Sequence, residues 1–247
     1  MDVELLRDTA GLGALPGTVH GFTTRGGGVS AGPLGSLNLA RRPGERDEAL
    51  AENWRRAVAA LHPSLRTDDL ALLDQVHGDR VVEVARGNGP LATVAEADAA
   101  FTRAPGTILA VRVADCVPVL VAGSGVVGVA HAGWRGTAAG IAPALVRAIG
   151  GEGLVAAVGP CIGGAAYQVG DEVIAAMRAA GVPDAVFLRG TDRVDLRAAV
   201  RWQLEQAGVQ RVWVSDRCTA TDPALYSHRR DPAAGRSAGL VAMLEAA

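Results

Sequence analysis

The sequence predicts an α+β fold in which strands and helices form separate layers. Short apolar, β-branched runs cluster between residues 70 and 130, most helical patterns follow them, and strands and helices do not alternate strictly. This order argues against a doubly wound nucleotide-binding fold. The 247 residues can bury a substantial core, and because no repeat or clear linker interrupts them, we expect a single domain over residues 1–247.

The first half of the chain predicts one helix among many strands. The segment "TVHGFTT" at 18–24 has the pattern of a strand that runs into a glycine-rich loop. Over 45–62, apolar residues from Leu50 to Leu61 recur at helical spacing and predict an amphipathic helix. Further strands are predicted at Leu70–Val76, Arg80–Val84, Ala99–Thr102, Ile108–Val113, Val117–Ala122 and Val126–Ala130.

The second half predicts helices separated by short strands. A helix over Thr137–Ile149 is expected to end at Gly150–Gly151, because glycine favours helix termination. The closing segment "SAGLVAML" at 237–244 fits a helix or a strand, and we favour the strand. A strand, two helices and a final strand are predicted, in that order, at Leu154–Val158, Asp171–Ala180, Asp195–Ala207 and Arg211–Val214.

The charged residues exclude several partners and mechanisms. Arginine supplies all 24 basic side chains, against 26 Asp and Glu, and the net charge of −2 gives no binding footprint for a nucleic acid. The absence of lysine excludes a Schiff base and a P-loop of the usual kind. Fixed cationic recognition therefore depends on arginine, whose planar fork suits phosphate and carboxylate.

Cysteine usage and hydropathy indicate a cytoplasmic protein. The three cysteines are widely spaced and odd in number, which suits reduced thiols better than a disulfide framework. The apolar runs are much shorter than a membrane span, and the chain does not begin like a signal peptide. We therefore expect neither a membrane nor a nucleic acid as a partner.

Two motifs match functional patterns without their structural context. "GSGVVG" at 123–128 has the dinucleotide-binding spacing, but a β-branched run follows it where a helix is needed, so we interpret Gly123–Gly125 as a hairpin turn. "GVSAG" at 28–32 matches a nucleophile elbow, but Pro33 and a glycine-rich loop follow. Ser30 is therefore not expected to be a nucleophile.

One cysteine and two histidines form the candidate site. The predicted hairpin places Cys116 and His131 at its open end, where facing Cβ atoms lie about 5 Å apart. An inert buried cysteine and a helix-capping histidine are the alternative. His77 ends another predicted strand, so the three side chains can converge at strand ends. Cys–His–His is a three-ligand zinc set that leaves a fourth position for water or substrate; copper is the less favoured metal.

Other histidines and cysteines are assigned less important roles. The ligand spacing is too wide for a zinc finger, and Gly133 stands where a zinc deaminase motif needs glutamate. His20 is interpreted as a structural residue, and His62, before Pro63, as an exposed helix end. Cys161 lies in a glycine-rich loop that can face the site, and Cys218 is interpreted as core or loop.

Eight motifs together resemble the YfiH-like family, also called the laccase-domain, multicopper polyphenol oxidase or peptidoglycan editing factor family. The resemblance runs from about Phe22 to Arg236 and implies a four-layer α/β/β/α sandwich related to Cys–His hydrolases, with the metal or catalytic trio on His77, Cys116 and His131. Trp54 stands where the family usually has arginine. The motifs are "TTRGGGVSAGPLGSLNLA", "DQVHGDRV", "VADCVPVLV", "VAHAGWRG", "VGPCIGG", "GDEV", "DRCTATD" and "YSHRRD".

The resemblance implies activities that the residues help to rank. Five histidines are too few for the blue and trinuclear sites of a laccase. The leading hypothesis is a zinc-dependent purine nucleoside phosphorylase of broad specificity (inosine, adenosine, methylthioadenosine) that also deaminates adenosine. The alternative is a cysteine or zinc amidase that edits peptidoglycan precursors, with Cys116 as nucleophile and His131 as base. A metal-storing or ligand-binding module is a third, less favoured class.

Phosphorolysis requires a bound phosphate and a bound purine. Arg25, Arg135 and the glycine-rich backbone near Gly26–Gly28 are the predicted phosphate contacts, because arginine and backbone N–H groups bind anions. Trp134 is a candidate for stacking on the purine, although packing in the core explains it equally well. Purine nucleosides and phosphate are therefore the expected ligands.

Overall fold

The computed structural model describes residues 2–245. Its helices are α1 (Asp47–Leu61), α2 (Trp134–Ala139), α3 (Ile141–Ile149), α4 (Asp171–Ala179) and α5 (Leu196–Gln206). Its strands are β1 (Leu5–Leu6), β2 (Thr18–Thr23), β3 (Leu70–Asp74), β4 (Val81–Glu83), β5 (Thr93–Glu96), β6 (Ala99–Thr102), β7 (Ile108–Val113), β8 (Val117–Gly123), β9 (Val126–Ala132), β10 (Val155–Val158), β11 (Phe187–Leu188), β12 (Arg193–Val194), β13 (Arg211–Val214) and β14 (Ser237–Met243).

Most of the strands belong to two six-stranded sheets. The first sheet has the order β1-β2-β14-β7-β3-β5, and the second has the order β13-β10-β8-β9-β6-β4. Both are mixed, because β3 runs parallel to its two neighbours, and the outer pairs β10–β13 and β4–β6 are also parallel. Strands β11 and β12 form a separate antiparallel pair.

The two sheets pack against each other, and helices cover both outer faces. Phe22 and Leu109 of the first sheet meet Leu120 and Val129 of the second in one buried apolar cluster. Helix α1 packs its buried Trp54 on the outer face of the first sheet, and α3, α4 and α5 contribute to the cluster on the outer face of the second. This layering confirms the predicted four-layer α/β/β/α sandwich.

Most predicted elements are present, with ends that differ by a few residues. The strands at Ala99–Thr102, Ile108–Val113 and Arg211–Val214 have the predicted bounds, and the closing segment is the favoured strand, β14. The strand predicted over Leu70–Val76 ends at Asp74. It ends early because the next residues form a loop around a buried carboxylate, described below.

One local prediction is wrong, and some short strands were not predicted, β5 among them. The single helix predicted over Thr137–Ile149 starts earlier and is divided into α2 and α3 at Gly140, which has φ +81° in the left-handed region. That conformation ends one helix and turns the chain into the next. Strand β5 has no counterpart among the predictions because it is a short edge strand with exposed polar ends. None of the described helices has the length and apolar character needed to cross a membrane.

Candidate active site

The β8–β9 hairpin places Cys116 beside His131. In its register Pro118 pairs with His131, so Cys116 lies two residues beyond this pair at the open end of the hairpin. Asp115, directly before the cysteine, has φ +90°. Its carboxylate accepts hydrogen bonds from Thr219 Oγ1 at 2.5 Å and from the backbone N–H of Arg229 at 2.6 Å. These bonds hold the turn that presents Cys116.

His77 reaches the same place from the loop after β3. Its backbone is left-handed, with φ +64°. The backbone N–H groups of Val76, His77 and Gly78 donate to the carboxylate of Asp98 at 3.1, 3.0 and 2.7 Å. One buried carboxylate therefore holds the whole loop. His77 Nε2 lies 4.0 Å from Cys116 Sγ.

Asp98 also orients His131. The side chain of Asp98 is fully buried, and its Oδ1 accepts a hydrogen bond from His131 Nδ1 at 2.7 Å. Burial opposes ionisation of Asp98, but the hydrogen bonds from His131, Gly78 and His77 outweigh it and lower the pKa of this carboxyl. Since Nδ1 of His131 is occupied, Nε2 is the ring nitrogen left to face Cys116.

The three side chains fit a metal ion. One ligand atom from each of His77, Cys116 and His131 lies within 4.8 Å of the others, so the predicted convergence is confirmed. Two ligands of one tetrahedral zinc ion lie roughly 3.5 Å apart, given bonds of about 2.0–2.3 Å, so closure requires only small side-chain shifts. A metal-binding histidine usually donates its other ring N–H to a carboxylate that fixes its orientation, as His131 does to Asp98. Which metal binds stays a prediction.

Charge at the cluster favours a thiolate. Burial works against ionisation of Cys116, but the neighbouring charge of His131 and hydrogen bonds from both histidines lower the pKa of the thiol to about 6. Burial likewise opposes protonation of His131, and the thiolate and Asp98 together raise the pKa of its ring to about 9. The ionised thiol is the form that ligates a metal or attacks an electrophile.

Gly133 allows the close approach of these groups. A Cβ atom at this position would lie 3.0 Å from Cδ2 of His77 and 3.2 Å from Sγ of Cys116. Its backbone is extended, at φ −73° and ψ 174°, so backbone conformation does not require glycine here. Space beside the two ligands is therefore what restricts this position.

A cavity of about 480 Å³ opens at the three residues. That volume is within the usual range for small-molecule sites. Apart from the three candidate ligands, its wall is rich in arginine and carries several polar and aromatic side chains. These side chains include Arg41, Arg42, Arg112, Asp115, Tyr167, His228, Arg229 and Arg236.

The two arginines predicted to bind phosphate lie elsewhere. Arg25 donates from Nε and Nη2 to the carbonyl of Gly35, at 3.0 and 2.7 Å, and its guanidinium lies 5.1 Å from the centre of the Tyr226 ring. Arg135 is exposed and stacks 4.3 Å above Trp134. Neither arginine lines the cavity among the described residues. Trp134 packs partly against the core beneath α2, and its stacking on a purine stays a prediction.

The residues assigned structural roles have structural contacts. The hydroxyl of Ser30 donates to Glu45 at 2.6 Å and accepts from Asn53 at 2.8 Å, in agreement with its exclusion as a nucleophile. His20 is buried, and its Nε2 accepts the backbone N–H of Asp8 at 3.0 Å. Cys161 is fully buried beside Cys218, and burial raises the pKa of its thiol to about 12. The expectation that Cys161 can face the site is wrong for its side chain, which is not part of the described cavity wall.

Sequence reasoning missed Asp98 and the cavity arginines. Asp98 follows two alanines and a glutamate in "AEADAAF", a segment without a functional signal of its own. His228 and Arg229 belong to the motif "YSHRRD", so that motif was an available signal for them. Arg112 lies in β7 and Arg236 directly before β14, and no sequence motif marks either residue as functional.

Comparison with known proteins identifies relatives over nearly the whole chain. Residues 19–244 match the family described as multi-copper polyphenol oxidoreductase laccase. The chain is 46% identical over 220 residues to a purine nucleoside phosphorylase of Deinococcus radiodurans, covering 86% of this chain and 83% of that protein. It is 37% identical over 228 residues to the purine nucleoside phosphorylase YfiH of Escherichia coli, covering 89% and 91%.

Solved structures agree with this relationship. The crystal structure of YlmD from Geobacillus stearothermophilus has a TM-score of 0.87 and 34% sequence identity to this chain, covering 98% of this chain and 99% of that one. The Neisseria meningitidis protein NMB0706 has a TM-score of 0.85 and 31% identity, covering 99% and 100%. The fold of these proteins is therefore shared over their full length.

Proposed function

Because this chain belongs to the family described as multi-copper polyphenol oxidoreductase laccase, which includes the YfiH and YlmD proteins, we propose that it cleaves purine nucleosides by phosphorolysis. In this reaction a phosphate oxygen bonds to C1′ of the ribose, and the N-glycosidic bond breaks. Its electron pair goes to the purine, which takes a proton. The products are ribose 1-phosphate and the free base.

The observation that carries the proposal is the joining of two features in one cavity. The His77–Cys116–His131 cluster lies at the wall of a space of about 480 Å³, and arginines that can bind an anion line the same space. Tyr167 and Ile162 add apolar surface suited to a base or sugar. The relatives named purine nucleoside phosphorylase support this assignment of substrates.

Zinc is the proposed metal, held by His77, Cys116 and His131, where it would supply a Lewis acid. The chain's own residues do the positioning: Asp98 fixes the ring of His131 and the backbone of His77. We extend the proposal to broad nucleoside specificity and to deamination of adenosine, in which water replaces the C6 amino group and ammonia leaves.

A second candidate function rests on the Cys116–His131–Asp98 arrangement. A thiol of lowered pKa beside an imidazole that a carboxylate orients is the arrangement of a cysteine nucleophile. An amidase acting on a peptidoglycan precursor would use Cys116 to attack the amide carbon and His131 to protonate the departing amine. Water would then hydrolyse the thioester and free Cys116. Laccase chemistry is disfavoured, because five histidines cannot supply its copper sites.

The experiment that separates the two functions combines substrate, chelator and alkylation. With inosine and phosphate, the zinc-loaded protein is expected to form hypoxanthine and ribose 1-phosphate, and no cleavage is expected without phosphate. Adenosine deamination is expected to continue without phosphate, and His131→Ala should abolish both activities. An amidase would instead cleave a muramyl peptide, resist chelation and be inactivated by alkylation of Cys116. That result, with no turnover of a nucleoside, would contradict the phosphorylase proposal.

A further inference from the structure

Arginine side chains without carboxylate partners line the cavity beside Cys116. Of the arginines in its wall, Arg41 forms an ion pair with Asp47 at 2.6 Å. In the part of the chain that the structure describes, Arg42, Arg112 and Arg236 have no carboxylate within ion-pair distance. Asp74 offsets part of the charge of Arg112 from a distance, but none of the three guanidinium groups has a direct carboxylate partner in this part of the chain.

Backbone carbonyl groups hold these three arginines in place. Nη2 of Arg42 donates to the carbonyl of Pro232 at 2.6 Å, and Nη2 of Arg112 donates to that of Leu73 at 2.5 Å. Nη1 of Arg236 donates to the carbonyls of Ala234 and Gly235, at 2.8 and 3.0 Å. Nε of Arg112 also donates to Oε1 of Gln75 at 3.3 Å. Neutral oxygens orient a guanidinium without cancelling its charge.

Arg42 and Arg236 keep N–H groups for a ligand, and Arg112, bonded through Nε and Nη2, keeps Nη1. Arg42 makes its one side-chain hydrogen bond among residues 2–245 through Nη2, which leaves Nη1 available, and its enclosed Nε also has no partner there. Across the same residues, Arg236 makes its hydrogen bonds through Nη1, which leaves Nε and Nη2 available. A buried donor without a partner destabilises the fold unless water or a ligand accepts its hydrogen bond.

Sheet register brings two of the arginines to the same face. Arg112 of β7 pairs with Ala238 of β14, and Arg236 lies two residues before Ala238. Because strand residues alternate between faces, side chains two positions apart point the same way. Arg42 comes from the loop before α1, and its bond to Pro232 attaches that loop to the segment before β14.

The charges of Arg42 and Cys116, which line the same cavity, both act on Arg236. Burial is the main cause that lowers the pKa of Arg236; the charge of Arg42 lowers it further, and Cys116 and Asp115 partly offset both. The Asp115 carboxylate already accepts bonds from Thr219 and the backbone of Arg229, so it is committed to the turn before Cys116. An anion in the cavity would relieve the repulsion between the two guanidinium groups.

We propose that Arg42, Arg112 and Arg236 form a binding site for inorganic phosphate in the cavity wall next to Cys116. Three guanidinium groups that converge from separate segments match the several oxygens of a tetrahedral dianion. These three arginines take the phosphate-binding role that the sequence assigned to Arg25 and Arg135, which lie outside the cavity wall among the described residues. The choice of phosphate as the ligand rests on the proposed phosphorolysis. The arrangement of the arginines is an observation that does not depend on it.

Phosphate binding by the zinc-loaded protein, measured by titration calorimetry at constant ionic strength, tests the site. Arg236→Gln and Arg42→Gln are each expected to weaken phosphate affinity about tenfold or more, because a charge-assisted contact is lost. Arg236→Lys keeps the charge and is expected to recover only part of the affinity, because the planar fork is lost. Arg201→Gln, a surface arginine paired with Glu205, is the control and should bind like the wild type.

Several results would overturn the site. Unchanged affinity in folded Arg236→Gln and Arg42→Gln, or loss confined to Arg135→Gln, would place the phosphate elsewhere. Failure of the wild type to bind phosphate, with and without hypoxanthine, would also reject it. Arginine-dependent binding without formation of ribose 1-phosphate would keep the site and reject phosphorolysis. Formation of ribose 1-phosphate together with phosphate binding that does not depend on these arginines would keep phosphorolysis and reject the site.

Discussion

Nδ1 of His131 donates a hydrogen bond of 2.7 Å to the carboxylate of Asp98, which has no exposed surface. The same carboxylate accepts three backbone N–H groups of the loop that carries His77. Two of the three candidate metal ligands therefore depend on one buried side chain. Asp98 is a positioning residue, because its effect on the cavity passes through these histidines.

Replacement of Asp98 by asparagine is expected to weaken zinc binding by about 10- to 100-fold. The amide oxygen can still accept from His131, but the NH₂ group would face the backbone donors of Val76 and Gly78. Competition with a chelator of known affinity measures the change. Asp195→Asn is the control, because asparagine can still cap α5 there, and wild-type zinc affinity in Asp98→Asn would contradict this role.

Gly133→Ala is expected to lower zinc retention without unfolding the protein. The added Cβ would press on His77 and Cys116 at 3.0 and 3.2 Å, whereas its extended backbone is acceptable for alanine. Metal content after dialysis against a chelator, with far-ultraviolet circular dichroism as the folding check, measures the effect. Full zinc retention would show that the ligands can move away at no cost.

Alkylation of Cys116 in metal-free protein is expected to persist down to about pH 6, because the pKa of this thiol lies below its ordinary value. His131→Gln should move the midpoint upward, since the neighbouring positive charge is lost. Peptide mass spectrometry of iodoacetamide-treated samples distinguishes Cys116 from Cys218. A midpoint above pH 8 for Cys116 would contradict the thiolate.

His20 is expected to make the fold sensitive to mild acid. Burial is the main cause that lowers the pKa of His20 from 6.5 to about 4. The unfolded chain therefore takes up a proton below pH 6.5 while the folded chain does not, so stability falls between pH 6.5 and 4. The loss approaches about 3 kcal/mol at the lower end.

Chemical denaturation at several pH values measures this loss. His20→Gln is expected to flatten the decline between pH 6.5 and 4, whereas the control His62→Gln, at the C-terminal cap of α1, should keep the wild-type slope. An equally steep decline in His20→Gln would assign the acid sensitivity to other groups.

The sequence was sufficient for the candidate ligands because they lie at the ends of recognisable strands. The hairpin turn alone brings Cys116 and His131 together, and His77 joins them from the end of a strand in the other sheet. Asp98 could not be found in this way, because its role depends on contacts 20 to 33 residues away along the chain.

The arginines of the cavity wall escaped sequence analysis for the same reason, and the predicted contacts Arg25 and Arg135 lie outside that wall among the described residues. Arg42 reaches the cavity through a bond to Pro232, 190 residues along the chain, and no local pattern encodes that contact. Arg135 looked suitable because it stands beside His131 in the sequence, but the first turn of α2 carries its side chain onto Trp134. Proximity in sequence was a poor guide once a helix began between the two residues.

Phosphorus NMR of the zinc-loaded protein with inosine and inorganic phosphate tests the central claim most directly. The account predicts that the orthophosphate signal falls as a ribose 1-phosphate signal grows in equal amount, and that Cys116→Ser loses this conversion, because a hydroxyl is a poor substitute for the thiolate ligand. Phosphorolysis would be contradicted if the orthophosphate signal stayed constant when inosine was mixed with folded, zinc-loaded wild-type protein. Conversion that is unchanged in Cys116→Ser would contradict the account as well.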